Sequence, residues 1–493
     1  MNFFKKYAYI SLLSIAGFIT AQMFANYDAH FYMQENDASS VVKTKKKPFT
    51  ILVYMAADND LRSFAARNIK QMAAIGSNDH FNIVAHLDIR IANNKKITRR
   101  YYIEQNRILH VNAYDQASQQ MDSGQPETLI SACEWAITDY PAEEYVLVFW
   151  NHGTGALDPQ QGRIINATEL FSYNPDLRLL ELDRTSSILG TGDQITSFQD
   201  PQNLLWLLEK HESPTSCEEI DRVLQTDDPR GICWDDSTGN YLTNQKLDHA
   251  LQVIRSQFMQ NKKFAIIGFD ACLMSMIEVG NLISRHAEIM VGSQEVELGT
   301  GWNYQKVLEP FLTRNLSIAE FAEHIARVYE ETYNKITNDY TQSAIDLKAL
   351  KPIETALNAI ATLLIDALRI QKNKSVYNAL SASRNKLLCT HFDEPSYIDL
   401  HHFLINLDQN LKYFSTTDVA QGQRIVSELR SLIPQAKEAV KHAVLANFCG
   451  KNLSQAQGLS IYFPESRIHS SYINIPFSHQ NNWFKFLQTY IAN

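Results

Sequence analysis

Two short stretches of the chain are apolar at every position: Tyr145-Val-Leu-Val-Phe-Trp150 and Phe264-Ala-Ile-Ile-Gly-Phe269. A half-buried strand alternates apolar with polar residues. An unbroken apolar run of this length predicts a strand covered on both faces, as in a parallel sheet. Residues 49–55 also predict a buried strand, and 81–88 and 287–292 predict two further strands. Between these runs the apolar positions recur at helical spacing, over residues 61–76, 127–139 and 242–259. Residues 98–105 and 108–111 are more polar and predict a hairpin at a sheet edge. Strands alternating with helices predict an α/β domain with a doubly wound, mostly parallel sheet and helices on both faces.

The alternation stops between residues 156 and 230. That stretch is rich in Asp, Gln, Ser and Thr, is broken by prolines, and holds apolar islands at 177–182 and 204–208. It predicts an insertion between two core strands, partly ordered at best. After Tyr304 the pattern turns mostly helical, over residues 318–336, 353–370, 401–411 and 421–445. Residues 344–347 and 458–463 predict strands returning to a sheet. The expected organisation is a catalytic-type domain over 48–310 followed by a helical C-terminal subdomain over 311–493.

The amino terminus differs from the rest. Lys5 and Lys6 precede an uncharged run over residues 7–25 with small residues at Ala21 and Ala25. A basic start, an apolar middle and a small-residue end predict a signal peptide, with a membrane anchor as the alternative. Either sends the chain out of the cytosol, to a periplasmic, extracellular or membrane-anchored location. Residues 26–47 are polar and end in Lys45-Lys46-Lys47, which predicts a tether or pro-segment. The formal net charge of -9, without an Arg/Lys stripe, argues against nucleic acid as a partner. The 6 cysteines in 493 residues are too sparse for a disulfide scaffold, and no C-x-x-C pair suggests zinc. His391, His401 and His402 cluster in sequence without a convincing ligand partner, so no metal site is expected.

Chemistry collects at the carboxyl ends of strands in an open parallel sheet. The two apolar runs lead there to His152 and Cys272. Neighbouring strands would bring an imidazole and a thiol together, the minimum apparatus of a cysteine nucleophile with its base. Cys272 is expected where a strand turns into a helix, whose free N–H groups would favour the thiolate. Gly153 and Gly155 let backbone approach a substrate closely, and the N–H groups of Gly153 and Cys272 could form an oxyanion hole. Asp58-Asn-Asp60 reads as the cap of the first helix. No dependable third catalytic residue emerges, so the sequence supports a dyad.

These segments resemble the clostripain-like cysteine peptidases, of the caspase, gingipain and legumain structural group. The resemblance runs from about residue 49 to 464. It rests on Tyr54-Met-Ala-Ala-Asp-Asn-Asp-Leu61, Asn151-His-Gly-Thr-Gly155, Gly231-Ile-Cys-Trp-Asp-Asp236, Asp270-Ala-Cys-Leu-Met-Ser-Met-Ile-Glu278 and Gly292-Ser-Gln-Glu-Val-Glu-Leu-Gly-Thr-Gly-Trp-Asn-Tyr304. Ala344-Ile-Asp-Leu347, Tyr397-Ile-Asp-Leu400 and Gly458-Leu-Ser-Ile-Tyr-Phe-Pro464 extend it. It implies a caspase-like three-layer sandwich and a secreted cysteine endopeptidase cutting protein or peptide substrates after Arg or Lys. His152 would be the base and Cys272 the nucleophile. Asp270 would hold the basic P1 side chain, and Ser293, Gln294 and Glu295 would wall its pocket. Self-cleavage within the insertion is implied, with Arg163, Arg222 or Arg230 favoured over Lys210 and over Arg178 and Arg184, which flank apolar islands. Lys45-Lys46-Lys47 offers a further site. Leu298 stands where these proteins often carry proline, and the insertion is longer than usual. No cofactor is expected, although Asp235 and Asp236 could bind calcium, which some members require. The rival readings are the same fold with another P1 preference, and a non-catalytic exported binding or adhesion protein.

Overall fold

The first apolar run forms a strand, β1 (Lys47–Ala57), whose residues are buried from Thr50 onward. It belongs to a computed structural model that describes residues 45–91, 95–113, 121–159, 171–174, 177–182, 231–313, 316–370 and 374–493. The expected leader, the apolar island at 204–208, and Arg163, Arg184, Lys210, Arg222 and Arg230 lie outside the described residues. The other strands are β2 (Phe81–Arg90), β3 (Lys96–Glu104), β4 (Arg107–Ala113), β5 (Ala142–Trp150), β6 (Phe171–Asn174) and β7 (Leu179–Leu182). They continue with β8 (Phe264–Asp270), β9 (Ala287–Gly292), β10 (Thr341–Asp346), β11 (Tyr397–Asp399), β12 (Val444–Cys449) and β13 (Ser460–Tyr462).

Nine of these make one sheet in the order β12-β10-β9-β8-β5-β1-β2-β3-β4. The five central strands, β9 to β2 in that order, run parallel. Antiparallel pairs close both margins, β3–β4 on one side and β10–β12 on the other. The polar hairpin is therefore at an edge, as its composition requires.

Period-two geometry explains why the central runs carry no polar alternation. Ile51, Val53, Met55 and Ala57 of β1 pack into one apolar layer with the helices Arg62–Ile75 and Ile318–Tyr333. Leu52, Tyr54 and Ala56 pack into the other, with the helices Pro126–Asp139 and Asn244–Phe258. Both faces of the strand are dry, so both residue sets are apolar. The result is helix, sheet, helix in three layers.

Residues after 311 supply β10 and β12 to this same sheet, and the helices Leu350–Arg369 and Val419–Ala443 share its second apolar layer. The segment expected as a subdomain is thus built into the main body. Residues 444–445, expected as the end of a helix, begin β12, and residues 458–463 contribute β13, which pairs with β11 in a separate small sheet. The island at 177–182 contains β7, which pairs with β6 and is anchored by Leu180 N–H donating to the Ile336 carbonyl at 2.7 Å.

Register places the chemistry. Met55 of β1 is opposite Trp150 of β5, and Trp150 is opposite Asp270 of β8. The chain leaves β5 and β8 at the same level. His152 and Cys272 each lie two residues further on, at the carboxyl rim of the parallel strands.

Candidate active site

His152 enters the site from the turn after β5 and is buried, with Nε2 2.7 Å from Asp60 Oδ1. Asp60 follows β1 and is also buried. The sequence places Asp60 in a helix cap, but the first helix has no side-chain cap at its start. The three residues of that turn do separate work. Asp58 binds the Arg90 guanidinium at 2.7 Å. Asn59 donates to the carbonyls of Ala56 and Trp234 at 2.9 and 3.0 Å. Asp60 meets the imidazole. A carboxylate on Nε2 fixes the ring and leaves Nδ1 as the nitrogen for proton transfer, the arrangement of a base with its orienting group. The signal for this was present in the sequence as a second acid after an apolar strand, but a helix cap accounts for it equally well.

Cys272 is buried too, 4% exposed. It does not sit at a helix N-terminus as expected. Residues 271–276 form turns and extended chain, and the helix Ile277–Ile283 starts only afterwards. Leu273, next to the thiol, has φ 63. A branched aliphatic residue rarely enters this left-handed region, so the turn that presents the thiol is strained. Without a helix end to favour the thiolate, burial pushes the Cys272 thiol up, and Glu297, Asp393 and Glu295 add to the rise. The Glu297 N–H, donating to Sγ at 3.2 Å, opposes it. In this closed arrangement Cys272 is a neutral thiol.

The two turns touch through main chain. A Cβ built on Gly153 would come within 2.3 Å of the Cys272 carbonyl oxygen and 3.1 Å of its nitrogen. Only glycine permits this approach, which puts the Gly153 and Cys272 main chains side by side.

Asp270, last residue of β8, lines the same small cavity as His152 and Cys272. Its Oδ1 accepts from the Trp302 N–H at 3.0 Å and its Oδ2 from the Tyr304 hydroxyl at 2.8 Å. Gly301, at φ 62, leaves room where a Cβ would strike Asp270 Oδ1.

Of the expected pocket wall, Ser293, Gln294 and Glu295 are placed otherwise. Ser293 Oγ bonds Thr341 Oγ1 at 2.8 Å, Gln294 Nε2 donates to Asp399 at 3.0 Å, and Glu295 accepts from the Asp393 N–H at 2.8 Å. These contacts tie β9 to β10 and to the later chain. The cavity wall comes a few residues further on, from Glu297, Leu298, Gly299 and Gly301. Side-chain direction in an extended loop alternates, and sequence position alone does not reveal which residues turn inward.

A model of the clostripain family matches residues 53–195 and 221–490. The chain belongs to the clostripain family. It is a cysteine endopeptidase of that family. Clostripain from Hathewaya histolytica is 21% identical over 499 residues, covering 91% of this chain and 81% of that protein. Among solved structures, a secreted cysteine protease from Bacteroides thetaiotaomicron, in complex with an irreversible peptide inhibitor, superposes with TM-score 0.53 at 18% identity. That match covers 89% of this chain and 99% of the other. An inactive zymogen protease from Parabacteroides distasonis superposes with TM-score 0.52 at 17% identity, with the same coverage. The caspase-like sandwich is therefore the fold of this clostripain-family member.

The Asp235–Asp236 pair of this clostripain-family protease bears on calcium. Lys96 Nζ contacts Asp235, lies 3.1 Å from Asp88 and 3.6 Å from Asp58, and is buried with all three. Asp236 is 3.4 Å from Arg90 and accepts from Trp234 Nε1 at 2.7 Å. An ammonium already stands at the centre of the carboxylates, so this donor set does not fit a calcium ion as arranged. Among the described residues, no group of three or more His, Cys, Asp and Glu could hold a metal ion. The Lys96 cluster instead braces the Asp58-Asn-Asp60 turn that holds His152.

Proposed function

We propose that this protease cuts protein or peptide chains after Arg or Lys, through Cys272 and His152, with Asp60 orienting the imidazole. The observation that carries the specificity is the chemistry around Asp270. A buried carboxylate usually requires a cation or a full set of donors. Asp270 has a main-chain N–H, a tyrosine hydroxyl and the neighbouring Glu297 carboxyl, none of them a cation, and lies in no ion pair among the described residues. It faces a cavity beside the nucleophile. A P1 guanidinium or ammonium is the charge such a site is arranged to receive. Cleavage of a peptide library by the purified protein tests this directly: products should end in Arg or Lys, and products ending mainly in other residues would refute it.

In the reaction, Cys272 Sγ attacks the scissile carbonyl carbon and its proton passes to His152. The Gly153 and Cys272 N–H groups receive the oxyanion. His152 then protonates the leaving amine, and water, activated by the same imidazole, hydrolyses the thioester. Asp60 touches neither substrate nor thiol and acts through the ring. Asp60→Asn should therefore lower kcat on the order of 10²-fold while KM changes little. Thermal unfolding of Asp60→Asn should stay close to wild type, and a loss of activity that only follows a loss of folded protein would assign the residue to folding alone.

We further propose that the chain cuts itself within the insertion. Both flanks of that stretch are stitched to the site. Trp234 N–H donates to Asn151 Oδ1 at 2.9 Å, and Asp236 N–H donates to the Asp58 carbonyl at 2.8 Å. Upstream, Leu157 N–H donates to the Tyr397 hydroxyl at 3.0 Å and Asp158 N–H to Ser471 Oγ at 2.9 Å, so a cut between residues 160 and 230 would leave each end held. Arg178, expected to be sheltered, is exposed at the β6–β7 turn with φ 55. That tight turn is a poor match for the extended chain a protease binds, so Arg163, Arg222 and Arg230 remain the favoured sites. Wild-type protein on incubation should yield a new amino terminus following one of these, and Cys272→Ala should stay intact. Full activity from an uncut wild-type chain would refute required processing. Export through the amino-terminal segment is proposed on the same footing.

A further inference from the structure

Glu297 is a second acid in the cavity that holds Asp270, and the sequence reading did not single it out. Like Asp270 it is 4% exposed. Its Oε1 accepts from Gln342 Nε2 at 3.1 Å. Its carboxyl also lies within hydrogen-bonding reach of the Asp270 carboxyl, so a neutral Glu297 gives its proton to that pair. Its own N–H is the group that caps Cys272 Sγ at 3.2 Å. One residue thus sets its side chain against the proposed P1 acid and its main chain against the nucleophile.

The space left is small. The cavity measures about 20 Å³, room for about one water molecule and not for a guanidinium. A basic P1 side chain can reach Asp270 only if the Glu297–Gly301 segment gives way. The segment contains two glycines, Gly299 and Gly301, and Gly301 already occupies the left-handed region.

Charge tells what Glu297 does when that happens. Burial holds both carboxyls above the ordinary range, and the neighbouring Asp270 charge raises Glu297 further. Two adjacent carboxyls in a dry site do not both ionise unless a cation joins them. The other titratable groups that feel Glu297 are Cys272, Tyr304, Tyr329 and Tyr333, all pushed up by burial and so neutral at ordinary pH. Arg67 acts on Tyr333 from the first helix. His152 lines the same cavity, against Asp60.

We propose that Glu297 is a proton-gated second carboxylate of the P1 pocket, neutral when the pocket is empty and ionised when a basic side chain enters. One proton leaves the Glu297 carboxyl for solvent as the substrate cation arrives, so charge balances. The same displacement withdraws the Glu297 N–H from Cys272 Sγ and opens the thiol to the scissile carbonyl. Occupancy of the pocket by the right charge is thereby coupled to release of the nucleophile. The inference rests on the basic-P1 reading above.

The test compares an arginyl peptide with its citrullinyl counterpart, which is neutral and nearly the same shape. For wild type, KM for the arginyl peptide should fall as pH rises through the Glu297 titration. Contributions common to both peptides cancel in the ratio. Glu297→Gln should abolish that fall and raise arginyl KM about 10- to 100-fold at alkaline pH, with the loss on KM rather than kcat. Independently, calorimetric titration of the Cys272→Ala chain with the arginyl peptide, in two buffers of different ionisation enthalpy, should show about one proton released per peptide bound. Glu297→Gln with the wild-type KM profile, or no proton exchanged by Cys272→Ala, would overturn the proposal while leaving the basic-P1 reading intact. Equal wild-type turnover of arginyl and citrullinyl peptides would instead overturn the reading on which it rests.

Discussion

Cys272→Ala and His152→Ala should each lower hydrolysis of arginyl peptides by roughly 10⁴-fold or more, with the fold preserved. The magnitude follows from how the two side chains act. Attack by sulfur and proton transfer by imidazole belong to one step, so removing either removes the whole step. The double variant should accordingly be little worse than either single one. Preservation of the fold is expected because neither residue lies in a strand or helix. A thiol-to-methyl change at Cys272 removes one sulfur from a site whose packing is otherwise main chain against Gly153. Circular dichroism and thermal unfolding should confirm a native-like chain. Near-normal turnover by Cys272→Ala would sink the assignment of the nucleophile, and additive losses in the double variant would mean that the residues work in separate steps.

Asp270→Ala should reduce kcat/KM for arginyl peptides far more than for neutral ones. Removing one partner of a buried, hydrogen-bonded charge pair costs roughly 2–5 kcal/mol, and each ~1.4 kcal/mol is about tenfold. A loss of roughly 30- to several thousand-fold is expected for the arginyl peptide. Part of any effect could come from the Trp302 N–H and Tyr304 hydroxyl, which Asp270 also satisfies. Asp270→Asn separates the two contributions. Its amide oxygen can still accept one of those bonds, but it carries no charge. If recognition is ionic, Asp270→Asn should retain the fold and still lose the arginyl preference. Equal losses on arginyl and neutral peptides in both variants would make Asp270 a structural anchor of the Trp302–Tyr304 segment.

β1, β5 and β8 were legible because burial on both faces leaves few positions for a polar residue. The runs at β1, β5 and β8 are continuous, and the reactive residues follow them directly. β12 was not legible for a related reason. The helix Val419–Ala443 passes into Val444–Cys449 with no glycine or proline at the junction, and Pro434, the breaker the sequence does offer, lies inside the helix. Asp60 was hidden by a plausible local role. A turn acid before a helix reads as a cap, and only the β1–β5 register brings it to His152. Glu297 was hidden by ambiguity of direction. Between Ser293 and Gly301 several polar residues compete, and the contacts of Ser293, Gln294 and Glu295 with Thr341, Asp399 and Asp393 depend on β10 and on chain 98 to 105 residues away. Cys272 misses the expected helix end by a short distance: the few turn residues before Ile277 remove the helix dipole from the thiol.

The most direct test of the central claim is covalent labelling with an arginyl chloromethyl ketone, located by peptide mass spectrometry. A basic-P1 cysteine protease working through Cys272 should take up one equivalent on the peptide carrying Cys272. Cys272→Ala should take up none, Asp270→Asn should react much more slowly, and a neutral norleucyl analogue should label wild type poorly. Labelling of Cys133, Cys233, Cys389 or Cys449 in place of Cys272, or equal labelling by the arginyl and norleucyl reagents, would contradict the account.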